Sequence, residues 1–285
     1  MPRHISVLLH ESIENLNLGP GKIFVDATYG GGGHTSEVLR KFPDVKVIAI
    51  DQDPEARNKI QETVDKVDLR TGNFRDIDTL VGDIKPDAIL LDLGFSSDQL
   101  EGGVPGLSFQ RDEPLDMRLS RSGPTAADIL NSWDEYAIEL ILRGFGEERA
   151  SRKIAEEIVK RRKIKPFETT FDLVEGVVAV KPRHFRDKIH PATKTFQALR
   201  IAVNSELDAL ESGLQKGFDI LKPSGRFAVI SFHSLEDRIV KNFFRESARE
   251  GKARLITKKP IIPTDEEVKD NPRSRSAKLR VVEKI

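Results

Sequence analysis

The chain contains no cysteine. That absence excludes disulfides, thiolate catalysis and cysteine-ligated zinc or iron–sulfur sites, so nucleophilic or metal chemistry falls to serine, histidine, aspartate or glutamate. Long hydrophobic runs are missing too. Stretches such as Asp87-Ala88-Ile89-Leu90-Leu91 fall far short of the ~20 residues a membrane span requires. The opening Met1-Pro2-Arg3-His4 carries no signal-peptide core, which predicts a cytoplasmic protein with no membrane partner. Net charge is the third absence, with 46 Lys plus Arg against 46 Asp plus Glu. What is present, 285 residues with 38% hydrophobic and 32% charged, fits a folded soluble protein of one or two domains at roughly 100 to 200 residues each.

The neutral sum hides a layout. Residues 1–150 hold 16 basic and 27 acidic residues, net −11, whereas residues 151–285 hold 30 and 19, net +11. The positive half concentrates in residues 151–165 (seven basic, two acidic), 181–194 (five basic, one acidic, plus His184 and His190) and 238–259 (eight basic, two acidic). Such clusters can track a phosphate backbone, and a solvated helix face accounts for any single one about as well. Three of them, together with Arg273, Arg275 and Arg280 in the tail, favour a nucleic-acid partner.

After a leader with an apolar patch (Val7, Leu8, Leu9, Ile13, Leu16), β-rich runs alternate with helical patterns, the signature of an α/β fold. The expected strands are 23–27, 46–51, 67–71 and 87–92, with helices at about 34–42, 54–65 and 75–82. Apolar on both faces, these runs read as buried parallel strands. Beyond Gly102-Gly103-Val104-Pro105-Gly106 the patterns turn helical, at 126–130, 136–142, 150–162 and 171–180. One long helix is expected from Thr195, carrying Phe196, Leu199, Val203, Leu207, Leu210, Leu214, Phe218 and Leu221 at spacings of three and four. Strands resume at 226–231, 253–257 and 279–283 around a helix at about 235–250. The reading is a doubly wound sheet whose first part (1–106) and second part (193–285) flank a helical insertion (107–192).

The first strand ends in Asp26-Ala27-Thr28-Tyr29-Gly30-Gly31-Gly32-Gly33-His34-Thr35, directly before a helix. Consecutive glycines let backbone approach a ligand, and a helix N-terminus offers unpaired N–H groups. As a dinucleotide fingerprint the loop is imperfect: Gly30 and Gly32 fit, but Thr35 stands where a third glycine belongs. Asp51, 21 positions after Gly30 at the end of the second strand, is placed to accept both hydroxyls of a ribose, or simply caps the next helix. Phe74 follows the third strand, where an aromatic either stacks on an adenine or joins the core. The fourth strand ends in Asp92-Leu93-Gly94-Phe95. The carboxyl ends of all four strands are thus polar or glycine-rich, which is where open α/β sheets bind ligands. A nicotinamide dehydrogenase would share the glycine loop and Asp51 but leaves the Asp92 segment and the missing glycine unexplained.

The pattern Asp26-x-Thr28-x-Gly30-x-Gly32, the acid Asp51 and the tetrad Asp92-Leu93-Gly94-Phe95 resemble the class I S-adenosylmethionine-dependent methyltransferases, with Thr28 replacing a usual glycine and both prolines of the usual tetrad absent. Longer blocks sharpen the resemblance. Ser108-Phe109-x-Arg111-Asp112-x-Pro114-Leu115-Asp116-Met117-Arg118, His190-Pro191-Ala192-Thr193, Val203-Asn204-Ser205-Glu206-Leu207, Ile230-Ser231-Phe232-His233-Ser234-Leu235-Glu236-Asp237-Arg238 and Asn271-Pro272-Arg273-Ser274-Arg275-Ser276 are similar to the RsmH (MraW) family, over essentially the whole chain.

That resemblance implies a Rossmann-like class I methyltransferase sheet with a helical insertion. It implies S-adenosylmethionine as cofactor and N4-methylation of a cytidine in the decoding region of small-subunit (16S) ribosomal RNA, free or in the 30S particle. It also implies that Gly32, Gly33, His34, Asp51, Phe74, Asp92 and Gln99 contact the cofactor. Methyl transfer from a sulfonium needs positioning and electrostatics rather than a metal. A cytosine amine is a poor nucleophile because its lone pair is delocalised into the ring. Asp92, with the carbonyls of Leu93 and Gly94, is placed to accept the amino hydrogens, unless Asp92 serves only the cofactor. His233 contacts base or phosphate, relays the released proton, or merely caps the next helix. A non-catalytic RNA-binding or ribosome-assembly protein on the same fold is the competing reading, and a homodimer is left open.

Overall fold

The apolar runs and the amphipathic segments between them fold as that alternation demands in the computed structural model, which describes residues 6–53, 66–94, 103–120, 122–183 and 189–285. The chain forms two compact units, Met1–Ser96 with Leu207–Ile285, and Ser97–Glu206.

The first unit is built on β1 (Ile23–Asp26), β2 (Lys46–Asp51), β3 (Val67–Thr71), β4 (Ala88–Asp92), β5 (Arg226–Ser231), β6 (Ala253–Leu255) and β7 (Lys278–Lys284). Their order is β3-β2-β1-β4-β5-β7-β6, with β1 to β5 parallel and β7 antiparallel between β5 and β6. The period-two geometry of a strand sends alternate side chains to opposite faces. Phe24, Val47, Ala49 and Leu90 pack on one face with Ile13 of α1 (Leu9–Asn15) and Val38 of α2 (Gly33–Lys41). Val25, Ile48, Ile50, Ile89 and Leu91 pack on the other with α3 (Ile77–Val81), α9 (Glu206–Ile220) and α10 (Ser234–Arg249). Ile89 and Leu90 are wholly buried, and cutting either to alanine costs about 2–5 kcal/mol. The chain winds from β1 out to β3, then crosses to β4. The carboxyl ends of β1 and β4 therefore flank the point where the strand order reverses, the crevice where such sheets bind ligands.

The second unit is helical: α4 (Ala126–Ser132), α5 (Glu135–Gly144), α6 (Ser151–Arg162), α7 (Thr170–Val180) and α8 (Thr193–Asn204) enclose a core including Ile129, Leu142, Ile154, Leu173 and Leu199. Thr125 with Asp128 and Thr169 with Asp172 form capping boxes that start α4 and α7. The unit extends to Glu206, past the insertion limits of 107 and 192 set by sequence, because Phe196, Ala198 and Leu199 of α8 belong to its core. The single helix expected from Thr195 to Leu221 is two. Ser205 takes a left-handed conformation (φ 47°) that ends α8, and Arg200 clamps Glu206 across the break at 2.8 and 2.9 Å. The helix expected at 54–65 lies outside the described residues. Among the described residues no helix is long and apolar enough to cross a membrane.

Candidate active site

Three strand ends converge in the first unit. Asp51, closing β2, accepts the Gly30 N–H at 2.7 Å on one carboxylate oxygen and the Asp53 N–H at 2.8 Å on the other, fixing the glycine loop from the side. Thr28 accepts the Asp92 N–H on its hydroxyl at 2.6 Å. The loop after β1 and the segment after β4 are thereby one hydrogen-bonded piece. Asp92 Oδ1 accepts the Gly94 N–H at 3.3 Å, while Oδ2 lies 3.8 Å from His34 Nδ1. Gly94 has no room for a side chain, since a Cβ there would stand 2.8 Å from the Phe232 ring.

Asp26 closes β1 and is 1% exposed. Its Oδ2 accepts the Thr35 hydroxyl at 2.7 Å, whereas Oδ1 is buried with no hydrogen-bond partner among the described residues. Burial pushes this carboxyl above its ordinary range, against the opposing pull of the His34 charge and the Thr35 hydroxyl; the nearby Asp92 charge raises it further. Gly32 caps α2 with φ 71°, a conformation costly for residues with a Cβ, and a Cβ there would also strike the Tyr29 ring. The α2 N-terminus has no side-chain cap and no acid in its first turn.

The leader lies across this loop. A Cβ on Gly33 would collide with the Ser6 hydroxyl, and His34 Nε2 is 3.2 Å from the Val7 carbonyl. Leu8 is wholly buried with φ 50°, and its N–H donates to Glu267 Oε1 at 2.8 Å. Glu267 belongs to α11 (Asp265–Asp270), capped by Thr264. Thr264-x-x-Glu267 has the spacing of a capping box, in which the Glu would bond back to the cap. Here its carboxylate is used to pin the leader instead.

The remaining expected residues separate. Phe74 sits half-buried after β3, its ring against Gly213 of α9. His233 takes the capping role: its Nδ1 accepts the Glu236 N–H at 3.4 Å at the start of α10, and its Nε2 is 3.0 Å from Glu236 Oε1. Gln99 and Phe95 lie outside the described residues, as does His184. In the basic stretch 151–165, Arg162 is committed within the helical unit, donating to the carbonyls of Leu130 at 2.8 Å and Trp133 at 2.6 Å, and Arg161 pairs with Glu157. Asn204 braces the Asp116–Arg118 loop through Met117 O and the Leu119 N–H, both at 2.9 Å. Thr28, Asp26, Ser6 and Glu267 went unmarked as site residues in the sequence. The glycine-loop pattern included Asp26 and Thr28 without showing what they bind, and the Thr264–Glu267 spacing was the other trace.

A parallel sheet in this order with an inserted antiparallel strand, and a glycine loop joined to carboxylates at the ends of β1, β2 and β4, defines an S-adenosylmethionine-dependent methyltransferase. The match to known proteins narrows the class. The chain belongs to the MraW methylase family, whose model matches residues 1–285. It is 44% identical to the ribosomal RNA small subunit methyltransferase H of Carboxydothermus hydrogenoformans, over 99% of this chain and 98% of that protein. It is 47% identical to the protein of the same name from Persephonella marina, over 100% of both chains. Among solved structures it is similar to an rRNA methylase from Streptococcus thermophilus (TM-score 0.46, 13% identity, 99% of this chain and 98% of that one).

The residues present fit the cofactor of that class. Its methionine end carries a carboxylate and an ammonium, and the site offers an uncapped helix N-terminus and a buried carboxylate oxygen without a partner. Its ribose calls for a strand-end acid, and Asp51 stands there.

Proposed function

We propose that the protein transfers a methyl group from S-adenosylmethionine to N4 of a cytidine in small-subunit ribosomal RNA, free or within the 30S particle, in the cytoplasm. The observation that supports this most is the Thr28–Asp92 bond. It locks the glycine loop to the segment expected to meet the target amine, so cofactor and acceptor would be held by one rigid piece. When bound, the cofactor supplies an electrophilic methyl group on a sulfonium that departs as a neutral thioether. Gly32, Gly33 and His34 at the α2 N-terminus would hold the amino-acid end, and Asp51 the ribose. Gln99, and Phe74 with the ring side not packed on Gly213, would complete the set. The acid-rich first half favours the cationic sulfonium.

Asp92 and the Leu93 and Gly94 carbonyls would accept the cytosine amino hydrogens. That withdraws the nitrogen lone pair from the ring and aims it in line with the methyl. As the C–N bond forms, the amino proton passes to Asp92 or to solvent. His233, tied into its cap, is placed to orient the β5–α10 turn; a proton relay through it would need that cap to open. Reaching an exocyclic amine requires an unpaired or flipped nucleotide. Tritiated methyl transfer to ribosomal RNA and to 30S particles, with nucleoside digestion, tests the reading. Label in N4-methylcytidine that disappears in Asp92→Ala supports it, and cofactor binding without incorporation into either substrate overturns it.

A further inference from the structure

One face of α10 is not explained by the site. Arg238, Lys241, Arg245 and Arg249 recur at spacings of three, four and four, which places them within one narrow arc of the helix. Opposite them Val240, Phe244 and Ser247 are buried against the sheet. The stripe is long as well as narrow: eleven residues at a rise of about 1.5 Å each span roughly 16 Å.

Acids do not balance its middle. Elsewhere exposed helical arginines are paired one turn away: Arg40 with Glu37, Arg143 with Glu139, Arg152 with Glu156. On α10 the first-turn acids are turned inward. Glu236 accepts the N–H groups of Phe232 and His233, and Asp237 binds Arg280 at 2.7 Å and Lys278 at 3.0 Å. Glu246 pairs with Arg249, and among the described residues no ion pair reaches Lys241 or Arg245. Lys241 and Arg245 therefore stand as like charges at i,i+4 with no ion pair among the described residues to offset them, an arrangement that destabilises helices.

The helix also begins beside the site. α10 starts directly after β5, whose Ile230 accepts the Leu93 N–H at 3.0 Å beside Asp92. We infer that the Arg238–Lys241–Arg245–Arg249 face of α10 is a phosphate track that grips the substrate RNA flanking the target nucleotide, leading away from Asp92 along the first unit. This rests on ribosomal RNA being the substrate. A polyanion in single-stranded form is the occupant that a row of mutually repelling cations fits, because released counterions favour each contact.

The test is the double variant Lys241→Gln with Arg245→Gln in the full chain, measured for binding to small-subunit ribosomal RNA across a salt series. Each lost contact to a single strand lowers the slope of log K against log salt by about 0.7, which is about fivefold in affinity at 0.1 M salt; two contacts give a slope change of about 1.4 and about 25-fold weaker binding. The variant's melting temperature should be unchanged or higher, since a repulsion is relieved, and its S-adenosylmethionine affinity should match the parent. Lys22→Gln with Lys216→Gln, an equal charge change elsewhere on the same unit, should leave the slope nearly unaltered. An unchanged slope in the α10 variant, an equal drop in the control pair, or a change only in self-association would each overturn the inference. Binding is read without turnover, so a parent that grips RNA through α10 yet transfers no methyl group would reject the proposed reaction and leave the track standing.

Discussion

Asp51 carries two burdens that one experiment can separate. Its carboxylate holds the Gly30 and Asp53 N–H groups, at 2.7 and 2.8 Å, and it is the proposed acceptor for the cofactor ribose. A hydrogen bond to a charged group contributes about 1.5–3 kcal/mol net. In Asp51→Ala, water recovers part of the loss at these partly buried amides, so the free protein should lose about 2–3 kcal/mol. For a chain of this size that is a fall of about 3–5 °C in melting temperature, read by calorimetry. Cofactor affinity should fall further, by about 100- to 1000-fold, because two ribose bonds go as well as the loop geometry. Asp51→Asn keeps one oxygen but turns an amide donor toward one of the two N–H groups, and should lie between. The ribose part is isolated by titrating S-adenosylhomocysteine and its 2′,3′-dideoxy analogue into both proteins. The parent should weaken about 100-fold with the analogue and Asp51→Ala hardly at all. Equal weakening in both would refute the ribose role and reduce Asp51 to a brace for the loop.

Three further outcomes follow from the geometry. Glu267→Ala releases the Leu8 N–H and should loosen the leader over Gly33 and His34, weakening S-adenosylmethionine about tenfold through faster dissociation in stopped flow, with Glu267→Gln retaining most of the affinity. Burial holds the Asp26 carboxyl above its unfolded value, so its contribution is fully favourable below about pH 3.9 and is lost as pH rises through the folded value; Asp26→Asn should therefore raise the melting temperature at pH 8 and give no gain at pH 3. Asp237 is the reverse case. Burial opposes its ionisation, but Arg280 and Lys278 overcome it and hold the carboxyl low, so its stabilisation is present above about pH 3.9 and fades as pH falls through the folded value. Asp237→Asn should cost about 3–5 kcal/mol at pH 7, since Arg280 stays buried without its partner, and much less in acid denaturation near pH 2.

β2 and β5 were legible because burial on both faces writes itself as continuous apolar runs, and both match their expected limits residue for residue; β3 matches its limits too, although only Val67 of it is buried. The glycine loop and Asp51 were legible because the tight turn and the strand-end acid are local features. The break at Ser205 was not. The apolar spacing runs through it unaltered, and a serine with φ 47° leaves no mark of the kind a glycine or proline would. Nor could spacing reveal that Thr28 reaches Asp92, 64 residues on, or that Glu267 reaches Leu8, 259 residues back, because those bonds exist only once the sheet has assembled. Charge clusters were visible as composition, yet their meaning depended on partners: Arg162 is committed to carbonyls of its own unit, whereas Lys241 and Arg245 have no ion pair among the described residues.

The central claim, methyl transfer to a cytosine amine governed by Asp92, is tested most directly by mass spectrometry of nucleosides from small-subunit ribosomal RNA incubated with S-adenosylmethionine and either the parent or Asp92→Asn. The account predicts N4-methylcytidine with the parent and a loss of about 100-fold or more in rate with the variant, at near-parental cofactor affinity. Methylation on a ribose oxygen or a ring carbon, or an Asp92→Asn enzyme as fast as its parent, would contradict it.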